Sequence, residues 1–448
     1  MRDFEIINSF PSDFIFGTAT SSYQIEGQKY GKCGLSNWDT FSNKPGKIFK
    51  GQNGKIACSH ILNYLDDLDL VKNGGFSAYR FSFSWPRLFP TNDGKVNPEG
   101  IDFYNRLLDG LLERNLRPFA TLYHWDLPKY LDDNGGWLNS ETIHKFTEYT
   151  NLIMNKFGDR LFSIATINEP WCVSWLSYYW GEHAPGIKNI EAAASAMHNI
   201  LLAHGRSLQE IRDYGHKNVG IVLNKTHVVP YNNLEENKFA AQLYDQIHNK
   251  WFDDAIFNGQ YPKELLKILG PFLPANYDND LKIISKKIDW IGINYYTRAI
   301  VKNDLKEKNF QFKVISGKLP KTDMGWEIYP EGLGLVVNDF VKNYAKDLPI
   351  YITENGMANR DIIDNGKIED KNRISYYSKH LKEVYNLLIS NIKIKGYFAW
   401  SLLDNFEWSF GYDKRFGLVY VDFKNQKRIP KSSWYMFKNY LSRKKKAD

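Results

Sequence analysis

A chain of 448 residues, 43% hydrophobic and 24% charged, has the balance of a soluble globular enzyme and a length that suits one α/β barrel with insertions. Its formal charge of +7 comes from scattered lysines, with one tight cluster at Arg443-Lys444-Lys445-Lys446 that reads as a solvated end, which argues against a nucleic-acid partner. Three cysteines (Cys33, Cys58 and Cys172) fit neither a disulfide framework nor a zinc signature, the N-terminus MRDFEIINSFPSDF has no signal-peptide run, and no stretch approaches 18 uninterrupted apolar residues, so a cytoplasmic protein without a membrane span is expected.

The predicted elements alternate. Strand Phe14–Thr20 comes first, then the long stretch Gly27–Gly54 and a helix over His60–Asn73 that places Ile61, Leu65, Leu68 and either Val71 or Leu70 on one side. Strand Ala78–Trp85, helix Gly100–Asn115, strand Pro118–Trp125 and helix Ser140–Phe157 follow, the last with Ser140 as its N-cap candidate. Next come strand Phe162–Asn168, the stretch Trp171–Ile190, helix Ala192–Tyr214 and strand Asn218–Asn224. Strand Ile288–Tyr296, the stretch Val301–Thr322, strand Pro349–Glu354, helix Ile374–Ile389 and strand Ile394–Trp400 complete the series. Runs such as IKGYFAW and PIYITE are nearly continuous in apolar and β-branched residues, as parallel strands buried on both faces require.

Eight strands alternating with helices predict an α/β fold: one (β/α)8 barrel over residues 1–448, with the three long stretches inserted to deepen a pocket. No GxGxxG or P-loop follows any strand, which weakens a nucleotide-binding open sheet. In such a barrel the active site sits at the C-terminal face, on residues that end strands. Those residues are Gln24 just past the first strand, Arg80 on the second, His124 and Trp125 on the third, and Asn168 with Glu169 on the fourth. Asn224 ends the fifth, Asn294 and Tyr296 the sixth, Glu354 the seventh and Trp400 the eighth, with Glu407 and Trp408 in the loop beyond.

This set holds two carboxylates, several amides, a histidine and indole rings, and neither a Ser or Cys elbow nor a convincing metal-ligand set. Paired carboxylates across a hydrogen-bonding, aromatic mouth are the equipment for cleaving a glycosidic bond: one protonates the departing oxygen, the other attacks or stabilises the anomeric carbon. Spacing alone leaves two unrelated structural glutamates open as the alternative. An aromatic content of 15% suits flat sugar faces and a large core equally. His198 and His204, six apart on a helix, share no face, so no metal role falls on them.

The chain resembles glycoside hydrolase family 1, the β-glucosidase family, over nearly its whole length. The likeness is carried by FPSDFIFGTATSSYQIEG (Phe10–Gly27), YRFSFSWPRLFP (Tyr79–Pro90), TLYHWDLP (Thr121–Pro128), TINEP (Thr166–Pro170), GINYYTR (Gly292–Arg298), MGWEIYPEGL (Met324–Leu333), ITENG (Ile352–Gly356) and WSLLDNFEWSFGYDKRFGLVYVD (Trp400–Asp422), in that order.

The resemblance implies that Glu169 is the acid/base and Glu354 the nucleophile of a retaining β-glycosidase acting on small β-glycosides and short oligosaccharides. It places Arg80 and Tyr296 beside the nucleophile and Asn168 on the sugar 2-hydroxyl, with Asn294 behind the first ring of contacts. Gln24, His124 and Glu407 would hold the 3-, 4- and 6-hydroxyls, Trp125 and Trp408 would add indole N–H donors, and Trp400 a flat face. Trp326 and Trp175 are candidates for the leaving-group side. No cofactor or metal is called for. Members that act on 6-phosphorylated sugars lack the Glu-Trp pair found here at Glu407-Trp408, and a carboxylate there would repel a phosphate. A non-catalytic sugar-binding barrel would lack one of the two glutamates, and a metal-dependent hydrolase would be chelator-sensitive. The aglycone, the gluco/galacto preference and the oligomeric state, a homo-oligomer included, stay open at this level.

Overall fold

The structure is a computed structural model that describes residues 2–447, with side chains from Glu5 to Ser442; the side chains of the basic cluster at 443–446 lie outside the described residues. Eight parallel strands close a barrel: β1 (Ile15–Ala19), β2 (Ala78–Ser82), β3 (Arg117–Tyr123), β4 (Ser163–Asn168), β5 (Val219–Pro230), β6 (Trp290–Asn303), β8 (Ile350–Asn355) and β9 (Ile394–Trp400), with β7 (Phe312–Ile315) outside the ring. The order is β5-β4-β3-β2-β1-β9-β8-β6, and a β5–β6 pairing shuts it. β8 is buried along its length and β9 at all but Lys395, which is why both read as nearly unbroken apolar runs.

Helices cover the ring. α1 (His60–Asn73), α2 (Pro98–Glu113), α3 (Ser140–Phe157) and α4 (Ile190–Asp213) follow β1 to β4. α5 (Glu235–Asp245) and α6 (Tyr277–Ile284) follow β5, α7 (Glu331–Asn343) follows β6 and β7, α8 (Lys371–Ile389) follows β8, and α9 (Ser432–Ala447) closes the chain. None of the described helices is long and apolar enough to cross a membrane.

Side chains fill the barrel interior. Ile15, Ala78, Phe119, Val222, Trp290, Tyr351 and Phe398 form one inner cluster, with Phe119 and Phe398 ring centroids 4.8 Å apart. Small residues make room for the rings: a Cβ on Gly17 would enter the Phe398 ring. Packing therefore plugs the lower end of the barrel and leaves the C-terminal ends free for polar groups.

Three expectations are corrected. Leu65 is 44% exposed, whereas Ile61, Leu68 and Val71 are buried; at 100° per residue the buried stripe runs from Ile61 through Leu68 to Val71, and Leu65 falls beyond its other edge. The N-cap of α3 is Asn139, whose side chain accepts from Glu141 N, one residue before the expected Ser140. The strands β5 and β6 continue past the barrel as a ribbon, pairing from His227–Arg298 to Pro230–Val301, and β6 also pairs antiparallel with β7. Within Val301–Thr322, residues 301–303 and Phe312–Ile315 are thus strand, and the rest is inserted loop.

Candidate active site

Glu354, next to last in β8, is 3% exposed and held by two donors. Its Oε1 accepts from Arg80 Nη1 at 2.6 Å and its Oε2 from the Tyr296 hydroxyl at 2.7 Å. Arg80 comes from β2 and Tyr296 from β6, so two strands fix one carboxylate. Bonds of this kind, to a charged group, are the strong ones. Gly356 follows because a Cβ there would run into the Trp400 carbonyl oxygen.

Glu169 comes directly after β4 with a left-handed φ of +50°. Its Oε1 accepts from Asn294 Nδ2 at 2.7 Å and its Oε2 from Cys172 Sγ at 3.0 Å. Asn168 Oδ1 joins the two halves, accepting from Arg80 Nη2 at 2.7 Å and from Asn294 Nδ2 at 3.1 Å. Burial first, and then the charge of Glu354, push the Glu169 carboxyl up to about 7, against the pull of the Cys172 and Asn294 bonds and of Arg80.

The amide of Asn168 also sets a tautomer. With Oδ1 taken by two donors, Nδ2 faces His124 Nε2 at 3.2 Å, so that ring nitrogen accepts and Nδ1 carries the hydrogen. Burial, then Arg80, hold His124 well below the usual histidine range, and the ring is neutral. Its Nδ1 is buried without a protein partner, which leaves a donor for a ligand hydroxyl on a residue that faces the cavity.

The cavity measures about 520 Å³. Among the expected residues, His124, Trp125, Glu169, Asn294, Tyr296, Trp326, Glu354, Trp400, Glu407 and Trp408 line it. Gln24, Arg80 and Asn168 stand behind that wall. Gln24 Nε2 donates to Phe406 O at 2.9 Å and reaches Glu407 Oε2 at 3.4 Å, tying the loop after β9 to the helical turn that follows β1. Glu407 is driven up to about 8 by burial, then by the charges of Glu354 and Glu169, so near neutral pH it is largely uncharged. The expected repulsion of a 6-phosphate by Glu407 is correspondingly weaker.

Two indole expectations change. Trp125 faces the cavity, but its Nε1 donates to Asn168 O at 2.9 Å and is not free for a sugar; a buried N–H at a strand end takes the nearest carbonyl. Trp175 is fully buried against Phe310 and Tyr179 and does not line the cavity. Trp326 does, beside the Tyr296 ring at 5.4 Å.

Sequence reasoning missed Trp171, Cys172, Leu176 and His248, all of which line the cavity. The first three sit on the helical turns directly after TINEP, so their nearness to Glu169 was the available signal. Of the three inserted stretches, residues 171–190 and 301–322 contribute wall residues; 27–54 contributes support, with Trp38 packed at 4.6 Å on Trp408. Trp125, Glu169 and Trp408 all have positive φ, and strain of this kind gathers at ligand sites. Among the described residues no three metal-ligating side chains converge.

The Glycosyl hydrolase family 1 model matches residues 6–446. The β-glucosidase of Agrobacterium sp. is 46% identical over 434 residues, which cover 95% of this chain and 94% of that one. A 1,4-beta-D-glucan glucohydrolase of Thermotoga neapolitana is 43% identical over 439 residues, covering 97% and 98%. The solved β-glucosidase of Thermotoga maritima in complex with glucoimidazole superposes with a TM-score of 0.94 at 42% identity, covering 97% of this chain and 99% of that chain.

Proposed function

This chain belongs to glycosyl hydrolase family 1, and from that premise we propose that it is a retaining β-glucosidase. It removes the terminal non-reducing β-D-glucosyl residue of small β-glycosides and cello-oligosaccharides, with galactosyl and fucosyl residues as further substrates. The observation that carries this reading is the contrast between two carboxyl groups on one cavity. Glu354 is ion-paired to Arg80, and Glu169 is pushed up to about 7 by burial and by Glu354. Environments that drive two carboxyls apart assign acid and nucleophile.

In the first step Glu354 attacks the anomeric carbon while Glu169 gives its proton to the glycosidic oxygen. The carbon–oxygen bond breaks and the aglycone leaves as an alcohol. The ester on Glu354 carries no charge, so Glu169 loses the neighbour that raised it and ionises. It then takes a proton from water, the water oxygen attacks the same carbon, the ester bond breaks, and sugar leaves with its β configuration kept. Arg80 and Tyr296 hold Glu354 in line. His124 and Glu407 supply polar atoms around the ring, held from behind by Asn168 and Gln24, and Trp400 and Trp408 the apolar surface.

Against a 6-phosphorylated substrate stands the cation balance of the wall. Lys225 and Arg298, the lysine and arginine lining the cavity, are each paired, with Asp253 and Glu327. A phosphate would have to break such a pair to gain a counter-charge.

The test is chemical rescue. With azide, Glu354→Ala should yield the α-glucosyl azide, and Glu169→Ala with an activated aryl glucoside the β-azide. Exchanged or identical configurations would overturn the assignment. Preference for 6-phospho over plain aryl glucosides would overturn the substrate.

A further inference from the structure

Cys172 has no place in the reaction described above, yet its sulfur touches the reacting carboxyl. β4 ends at Asn168, Glu169 turns with left-handed φ, and Val173 N returns to Glu169 O at 3.2 Å. This first helical turn carries residue 172 onto the side of residue 169 and sets Sγ 3.0 Å from Oε2. The residue is 6% exposed and lines the cavity. Burial, then the Glu169 charge, push the thiol well above its usual range, so it stays S–H.

The other oxygen is differently constrained. Asn294 Nδ2 donates to Oε1 at 2.7 Å, and Asn294 Oδ1 accepts from Thr353 Oγ1 at 2.7 Å, so the amide cannot turn to accept. A proton on Oε1 would face a fixed N–H. A proton on Oε2 faces a thiol, a rotor that can swing its hydrogen away and offer sulfur as a weak acceptor.

Resting on the acid/base reading of Glu169, we propose that Cys172 is a positioning residue: it places the mobile proton of Glu169 on Oε2 and holds that oxygen in both halves of the reaction. The thiol accepts from the loaded acid and donates to the ionised base.

Cys172→Ala removes a donor that favours the ionised form. The alkaline limb of kcat/KM should therefore move up by roughly 0.5 to 1 pH unit. Turnover of an activated aryl glucoside, limited by hydrolysis of the ester, should fall about 3- to 10-fold, as expected when the general base is less well held. Cys172→Ser keeps a donor and should restore the limb to near its original position. A cysteine that only packs would lower Tm and leave the limb where it was.

If the variants do not fold, infrared spectroscopy of the unaltered protein serves instead. Cys33 and Cys58 point at the carbonyls of Gly34 and Asp404, so a single S–H band should shift as Glu169 titrates. An unmoved limb in Cys172→Ala, or S–H bands that do not change through that titration, overturns the proposal. Glu169→Ala with azide judges the acid/base reading separately: a normal β-azide beside an unmoved limb removes only the role of Cys172.

Discussion

Trapping the glucosyl ester on Glu354 should lower the pKa of Glu169 by about two units. The charge removed lies roughly 5.5 Å away if the carboxyls have retaining spacing, and at an effective dielectric of about 20 it is worth about 3 kcal/mol. Burial, the larger cause, stays in place, as do the Cys172, Asn294 and Arg80 interactions that pull the other way. Glu169 should therefore titrate from about 7 in the free protein to roughly 5 in the trapped ester. A 2-deoxy-2-fluoroglucosyl fluoride would form the ester, and carboxyl carbon NMR of glutamate-labelled protein, with Glu169→Gln to assign the signal, would follow the titration. The sign is specific: a depressed pKa frees the base near neutral pH only after the first step. A Glu169 titration that stays near 7 or rises on trapping would refute the electrostatic coupling between the two groups.

Tyr296→Phe removes the hydroxyl that donates to Glu354 Oε2; losing one bond to a charged group, about 1.5–3 kcal/mol, should lower kcat/KM for an aryl glucoside by about 10- to 100-fold without a matching fall in Tm. Gly356→Ala would drive a methyl into the Trp400 carbonyl, and overpacking of about 1–3 kcal/mol should lower both Tm and activity. Lys431 is fully buried between Asp361 and Asp404 at 2.5 and 2.6 Å. Lys431→Met should destabilise the fold by about 1–3 kcal/mol, read from a urea transition, because Asp361 and Asp404 each lose a buried charged donor while keeping Arg373 and Arg415.

The barrel was legible because parallel strands sealed on both faces must be apolar throughout, and PIYITE and IKGYFAW are. The glutamates were legible because such strands deliver their last residues to the open face. The ribbon of β5 and β6 was not: beyond Asn224 and Tyr296 it is mostly only partly buried, so its polar and apolar residues mix and it reads as loop. Helix α7 was missed as well. Gly332 and Gly334 open it, and glycine weakens the helical signal although tertiary packing holds the turn. Side-chain partnership was the least legible level. Nothing in HWDLP shows that Trp125 spends its N–H on Asn168 O, and nothing in TINEPWC shows a thiol resting on a carboxyl, because both depend on how β4 turns at Glu169.

Peptide mapping of the 2-fluoroglucosyl protein goes straight to the bond that must form. Digestion and tandem mass spectrometry should find the sugar on Glu354, within Ile350–Asn355. Sugar on Glu169 or Glu407, or no adduct while the reagent is being turned over, would contradict a nucleophile at the end of β8.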